Sequence, residues 1–389
     1  MNPLFPFDDA TCRSLADTHG TPCFAYSGAA ATEQFASLRA VLPPRVRLAY
    51  AVKANPHPGL LARFASLGAS FDCASIGELE RVEALGLPIG RTFFAGPGKR
   101  EAELRKALAM GVRVQAEGWE DLARIDVLVE RETAVNLRVH PAFDIDEGSR
   151  IIGGSGPSAF GVDEEDVPVL LQRAAGLRHV RIRGLHVFAA SNQRDASKLL
   201  AIHGAVLELT KRLVETQGLA FEQIDLGGGL GIPYAPGEAL LDGAALGQGL
   251  SKLLAQHPWF GGELILEPGR FLAGPCGVYL ARVVRIKESR GTRFAILEGG
   301  INHLIRPLLT GQPFPVKAVG KGDGATPYTL AGPLCTSLDR LGEVGLPELT
   351  AGDLLAFGST GAYGLNEGMT HFLSHPVPPE VWVDSSPAM

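Results

Sequence analysis

The sequence predicts an α/β protein in two parts: a (β/α)8 TIM-like barrel followed by a mostly β domain. Three observations carry this expectation. Eight short β-rich apolar runs alternate with segments of helical period between residues 46 and 269, matching such a barrel in strand count and in its usual size of about 250 residues. After Gly269 the strand-like runs continue with little helix between them, the pattern of a β domain. The chain has 389 residues, 46% of them apolar and 20% charged, which exceeds a single domain of roughly 100–200 residues and excludes wholesale disorder. A doubly wound open sheet fits the same alternation, because local pattern does not show closure.

The elements follow in chain order. The first 25 or so residues end in the strand-like PCFAY (22–26), and residues 1–26 are expected to join the β domain. The barrel is expected over 27–268. Its strand candidates are VRLAYAV (46–52), ASFDCA (69–74), RTFFAG (91–96), VRVQAE (112–117), AVNLRV (134–139), VRIRGLHVF (180–188), FEQIDLG (221–227) and ELILEPG (263–269). Between them, 58–67 opens with Pro58, whose missing N–H suits a first helical turn, and 76–86 ends in Gly86, a natural helix stop. Residues 99–110, 163–175 and 194–217 carry similar apolar spacing. The β domain, 269–389, has strand candidates in GVYLARVVRIKES, TRFAILEGG, YTLAGPLCT, DLLAFGS and PEVWV.

Composition narrows the function classes. A net charge of −6 argues against a general nucleic-acid binder, which shows a basic domain. No apolar run approaches the roughly 20 residues of a membrane span, and the first residues lack the features of a signal peptide. The five cysteines are scattered and never in C-x-x-C spacing, as expected for thiols of a cytoplasmic protein.

Several motifs carry chemistry. Lys53, in YAVKANP, stands at a strand's C-terminal end, which in a barrel faces the active-site mouth. An amine there, partly desolvated among apolar neighbours, suits Schiff-base formation; the same position also suits a surface lysine at a loop edge. IDLGGGLGIP (224–233) runs a strand into three glycines, whose backbone N–H groups can approach an anion. Ile232 breaks the G-x-G-x-x-G pattern and disfavours a dinucleotide fold. LEPGR closes the eighth strand with Glu267, Gly269 and Arg270, near the usual barrel site for phosphate; a structural ion pair is the plainer alternative. AGPLCTSLD places Cys335 among turn residues, and GSTGAYG places Tyr363 among glycines. His371 and His375 have helical spacing, but the turn-like FLSHPVPP around them argues against zinc.

Together and in order, YAVKAN, FDCASIGEL, GGGLGIPY, EPGR, GPLCTSLD and GAYG resemble the fold-type III pyridoxal-phosphate decarboxylases, the family of diaminopimelate and ornithine decarboxylases, with an alanine racemase-like barrel and β domain. The resemblance covers nearly the whole chain. It implies that pyridoxal 5'-phosphate is the cofactor and that Lys53 forms the Schiff base with it. It implies further that Glu267 pairs with the pyridine nitrogen and that Asp72 and Glu78 are acidic positions after the second strand. Ser191, Gly228, Gly229, Gly269, Arg270 and Tyr363 match the phosphate-binding segments. Cys335 matches the proton donor that reaches the active site from the partner subunit of a homodimer. The cofactor is the electron sink for decarboxylation.

Departures from the family pattern bear on the substrate. The acidic residue that follows the catalytic cysteine in diaminopimelate and ornithine decarboxylases is Thr336 in this chain, which carries no charge to hold a distal amine. Arg306 matches the arginine for the substrate's distal carboxylate, while the nearby tyrosine of that family is replaced by Thr310. The histidine that stacks on the cofactor ring aligns with Phe188, with His186 two residues earlier. FAGPGK, GPLCT and GAYG…FLSHPVP are similar to one branch in particular, with the butirosin-pathway, siderophore-pathway and exosortase-associated decarboxylases. That branch implies an L-amino acid with one end already conjugated, to a carrier protein or a citryl group, in a specialised biosynthetic pathway. Diaminopimelate decarboxylase of lysine biosynthesis is the alternative. An amino-acid racemase is disfavoured because the family's opposite-face acid is a tyrosine where this chain has Cys335. A non-catalytic cofactor carrier is disfavoured by the presence of the β domain.

Overall fold

The computed structural model describes residues 4–87, 89–143 and 156–384. The chain divides into two compact units. One comprises Phe35–Gly231 and Leu240–Gly269; the other comprises the residues up to Gln34, Ile232–Ala239 and the chain from Arg270 onward.

The first unit is a parallel barrel. Its strands are β1 (Val46–Ala51), β2 (Ser70–Cys73), β3 (Phe93–Phe94), β4 (Arg113–Ala116), β5 (Thr133–His140), β6 (Val180–His186), β7 (Gln223–Asp225) and β8 (Glu263–Leu266). Each pairs in parallel with its neighbours in chain order, and β8 pairs with β1. Closure is completed by β4 against β5, with Gln115 opposite Asn136 and Ala116 opposite Leu137. That pairing decides for a barrel over an open sheet. A short strand, Val162–Asp163, extends the edge of β5.

The strands read as apolar runs because residues such as Leu48, Ala49 and Tyr50 are buried, as expected for strands covered on both faces. The helices between them follow local rules. Pro58 opens Pro58–Ser66, where its missing N–H costs nothing. The Ser75 hydroxyl accepts from the Glu78 N–H at 3.2 Å and starts Ile76–Ala84. Asp195 caps Ala196–Gln217 through the Ser197 N–H. Two expectations need adjustment. Within 163–175 the helix proper is Val167–Ala174, preceded by a 3₁₀ turn at Glu164–Asp166, because Pro168 belongs in a first turn. The third strand shrinks to Phe93–Phe94, since Ile89–Arg91 forms a 3₁₀ turn.

The second unit is built on mixed sheet. Gly277–Ser289 is its long central strand. It pairs antiparallel with Cys23–Ser27, Thr292–Leu297 and Leu354–Phe357. Cys23–Ser27 also pairs in parallel with Glu380–Val383. Thr292–Leu297 continues in parallel to Thr326–Ala331, which pairs antiparallel with Arg340–Leu346. Phe24, Tyr279 and Phe357 fill the core, with the Phe24 and Tyr279 ring centroids 4.7 Å apart. Truncating such a buried aromatic to alanine costs about 3–5 kcal/mol. The strand-like YTLAGPLCT ends as a strand at Ala331, and Gly332 and Pro333 turn the chain into a loop that carries Cys335.

Candidate active site

Lys53 sits in the 3₁₀ turn Val52–Ala54 that ends β1. Asp72 lies in β2, His186 is the last residue of β6, Asp225 is the last of β7, and Glu267 follows β8. In-register pairing of His186 with Asp225, and of Asp225 with Ile265, sets three titratable side chains at one end of the barrel, the end where barrel sites form. A cavity of about 270 Å³ opens there, with Lys53, Asp72, Arg138, His186, Phe188 and Glu267 among its walls. That is close to the lower end of small-ligand pockets, about 300–1,000 Å³.

Lys53 Nζ lies 3.1 Å from Asp72 Oδ2 and 5.2 Å from the centre of the Phe188 ring. Its side chain is 37% exposed, whereas that of Asp72 is 1% exposed. Burial and then the like charge of Glu267 push the Asp72 carboxyl up, against the opposing pull of Lys53 and His186. Burial would also raise Glu267, but His186, Lys53 and a hydrogen bond with Asp225 outweigh it and hold that carboxyl below its ordinary range. Glu267 is therefore the acid of the group that stays ionised. His186 Nε2 lies 3.5 Å from Glu267 Oε2. Glu78 is placed differently: its carboxylate accepts from the Ala74 N–H at 2.6 Å, and burial lifts it to about 7.

The glycines shape the floor. A Cβ on Gly228 would stand 2.6 Å from the Glu267 carbonyl oxygen and 3.3 Å from the Phe188 ring. Gly229 has a φ of +94°, and a Cβ there would stand 2.5 Å from Ala190. A side chain at either position would displace the neighbouring loop. Ser191 is half-buried in the loop after β6. Ser191, Gly228, Gly229 and Gly269 lie outside the cavity wall itself.

The rim rests on residues to which the motifs assigned no role. The Glu117 carboxylate accepts from the Gly96 and Gly161 N–H groups and from Arg138 Nη1 at 3.1, 2.7 and 3.1 Å. Lys99 Nζ is buried against Asp121 at 2.9 Å and donates to the Gly96 and Gln115 carbonyls. The only local sign was a charged residue set into an apolar run, in FAGPGK and VQAE.

Arg270, Arg306, Tyr363, Cys335 and Thr336 belong to the second unit. Arg270 Nη1 donates to the Tyr234 hydroxyl at 2.7 Å, and its guanidinium lies 4.5 Å from the centre of the Tyr363 ring. Arg306 is buried, 4.7 Å from the centre of the Tyr234 ring, and donates to Gln312 Oε1 at 3.1 Å; Thr310 donates its hydroxyl to the Arg306 carbonyl. Tyr234, the last residue of GGGLGIPY, thus joins both arginines. Cys335 is exposed. Its loop is clasped by the buried Asp339, whose carboxylate accepts from the Leu334 and Ile301 N–H groups at 2.7 and 2.8 Å. Thr336 Oγ1 accepts from the Leu338 N–H.

Pyridoxal phosphate fits the barrel cavity by the chemistry of its walls. The cavity offers an amine for the aldehyde, an aromatic face for the ring and an ionised carboxylate for the pyridine nitrogen. Asp72 Oδ1 and His186 Nδ1 are buried and find no hydrogen-bond partner among the described residues, so the walls hold polar capacity for a ligand.

Comparison with known proteins agrees. A family model described as the pyridoxal binding domain of pyridoxal-dependent decarboxylases matches residues 29–274. The chain is 31% identical to the L-glutamyl-[BtrI acyl-carrier protein] decarboxylase of Niallia circulans, over 96% of this chain and 91% of that one. It is 37% identical to a diaminopimelate decarboxylase of Neisseria meningitidis, over 90% and 85%. Among solved structures, diaminopimelate decarboxylase from Helicobacter pylori complexed with L-lysine has a TM-score of 0.87 at 25% identity, over 96% of this chain and 94% of that one. No described helix is long and apolar enough to cross a membrane. The family match and the barrel site lead to one assignment: the chain belongs to the pyridoxal-dependent decarboxylases, carboxy-lyases that work with pyridoxal 5'-phosphate.

Proposed function

We propose that this decarboxylase acts on an L-amino acid whose distal end is already conjugated, to a carrier protein or a citryl group, in a specialised biosynthetic pathway. The observation that carries the reading is Thr336. It stands beside Cys335 without charge, and its hydroxyl is already engaged by the Leu338 N–H at 3.2 Å. A free distal ammonium placed there would lose water without gaining a charged partner, a cost of about 1–3 kcal/mol. A conjugated substrate avoids that loss. The carrier-protein decarboxylase of Niallia circulans, similar over nearly the whole chain, supports this reading.

The residues divide the work. The cofactor supplies the electron sink that makes loss of carbon dioxide from the α-carbon possible. Lys53 is the amine that binds the cofactor covalently, and Asp72, 3.1 Å away, orients it. Phe188 gives a flat apolar face that cannot titrate, where the family has histidine. Glu267 keeps the ring nitrogen protonated. Cys335 of the partner subunit returns a proton to the α-carbon, so the working form is a homodimer. Arg270 and Tyr363 supply a cation and a hydroxyl for the phosphate.

Diaminopimelate is the second reading, favoured by the buried Arg306 as a carboxylate partner and by relatives such as that of Neisseria meningitidis. Steady-state kinetics on free diaminopimelate, free ornithine and a carrier-bound or citryl-linked amino acid separates the two. The expected order puts the conjugate ahead by about 5- to 150-fold in kcat/KM, tenfold per 1.4 kcal/mol. Thr336→Glu is expected to raise activity on diaminopimelate and lower it on the conjugate. Efficient turnover of free diaminopimelate by the unaltered enzyme would replace the first reading with the second.

A further inference from the structure

We propose that Asp225 is a neutral carboxylic acid that shares its proton with Glu267, and that it acts with Gln115 as a positioning pair holding Glu267 as an oriented anion. This rests on the reading that Glu267 serves the cofactor's ring nitrogen.

The geometry is local to the barrel. Asp225 and Gln115 are both 0% exposed and Glu267 is 2% exposed. The side-chain amide of Gln115 reaches across from β4 and has two hydrogens. Nε2 donates to Asp225 Oδ2 at 3.1 Å and to Glu267 Oε1 at 3.2 Å. The other oxygen of Asp225 accepts from the Gly227 N–H at 3.0 Å, at the start of the glycine turn. Carboxyl oxygens of Asp225 and Glu267 and a ring nitrogen of His186 lie within 4.8 Å of one another. The acid is thus fixed on three sides, by strand register, by a backbone donor and by an amide from the opposite wall.

Charge decides which of the two acids keeps a proton. Three buried carboxyls meet in this space: Asp72, Asp225 and Glu267. The groups facing them are Lys53, 3.1 Å from Asp72, and His186, 3.5 Å from Glu267; Arg138, in the same cavity wall, is paired with Glu117 at 3.1 Å, and Arg47, on β1, adds attraction for Asp225 from farther off. Two carboxylates this close in a dry site do not both ionise. Asp225 makes no ion pair among the described contacts, whereas Glu267 has His186 beside it and Lys53 in the same cavity. Burial, then the charge of Glu267, pushes the Asp225 carboxyl well above its ordinary range. A neutral Asp225 becomes a donor, and the acceptor it meets is Glu267.

The test uses the full-length holoenzyme and the cofactor-free chain, with Asp225→Asn, Asp225→Leu and Glu267→Gln. Asparagine keeps a neutral donor of nearly the same shape but gives up one of the two acceptors that meet Gln115 and Gly227; leucine removes the donor and both acceptors. Difference infrared spectra at neutral pH, wild type against Asp225→Asn, are expected to lose one carbonyl band of a protonated carboxylic acid, with or without cofactor. The cofactor dissociation constant is expected to stay within about threefold in Asp225→Asn and to rise about tenfold or more in Asp225→Leu, tenfold being 1.4 kcal/mol. The pH midpoint of the holoenzyme's visible band should move in the leucine variant and hold in the asparagine variant. If Asp225→Asn loses no such band, or binds cofactor as weakly as Asp225→Leu, the shared proton is wrong. If Asp225→Leu does not fold, the infrared comparison alone decides. Should Glu267→Gln keep the wild-type affinity and pH profile while the Asp225 band is still lost in Asp225→Asn, the ring-nitrogen role of Glu267 fails and the shared proton stands.

Discussion

The barrel cavity and the arginine cluster of the second unit bury charge of opposite sign in different ways. In the barrel, Asp72, Asp225 and Glu267 are crowded together, and carboxyls can relieve crowding by keeping a proton. In the second unit, Arg270 and Arg306 are both buried, and a guanidinium has no such escape. That unit instead sets tyrosine faces against the cations, with Arg270 4.5 Å from the Tyr363 ring centre and Arg306 4.7 Å from that of Tyr234. Each such contact contributes about 0.5–2 kcal/mol. The acidic region is therefore adjustable by pH, while the basic one is fixed and suited to a permanent anion such as phosphate.

The sharpest way to break this division is Lys53→Ala. It removes the proposed covalent anchor from the acidic region, and activity is expected to fall at least about 10⁴-fold. Borohydride should fix the cofactor on Lys53 in the wild type, with peptide mapping as the readout; a label on another lysine overturns the assignment. Cys335→Ala comes next, with an expected loss of about 10²–10⁴-fold and cofactor binding intact. Mixing it with Lys53→Ala should recover part of the activity, because one of the two sites in a mixed dimer is whole. No recovery after verified subunit exchange refutes a shared site.

A smaller effect tests the basic region by itself. Inorganic phosphate at ten times its dissociation constant should stabilise the protein by about 1.4 kcal/mol, read as a rise of roughly 2 °C in Tm. The rise should vanish in Arg270→Gln and persist in Lys53→Ala. One effect lies outside both regions. His203, buried in Ala196–Gln217, is pushed down to about 4 by burial. The unfolded chain protonates this histidine below about 6.5, so it binds more protons than the folded one between pH 6.5 and 4. Stability should fall as pH drops through that window, by up to about 3 kcal/mol. His203→Leu should flatten that slope in denaturant titrations while leaving the pH profile of the visible band unchanged.

Much of this was legible in the sequence. All eight barrel strands sit where apolar runs place them, and Lys53, Asp72, Phe188 and Glu267 do line one cavity. Closure was not legible, because Gln115 and Asn136 pair through register rather than through any local signal. The helix Gly243–Gln256 was hidden by the glycines at 247 and 249, poor helix formers whose cost tertiary packing overrides. Glycines at 342 and 345 likewise masked the strand Arg340–Leu346. Asp225 stood in plain view in IDLGGG, but its partner Gln115 is 110 positions away. A motif shows that an acid is present; only the fold shows which groups stand beside it.

The strand Cys23–Ser27 has a consequence for how the chain is made. It pairs with Gly277–Ser289 on one side and Glu380–Val383 on the other, Phe24 facing Glu380. At about 5–20 residues per second of synthesis, its first neighbour emerges tens of seconds after it, and its second later still. Throughout that interval an apolar strand with two open edges waits on the nascent chain, the kind of edge that pairs wrongly with other chains. Yield on expression should therefore depend on synthesis speed and on chaperones that shield this segment, and a stop before Glu380 would leave one edge permanently unpaired.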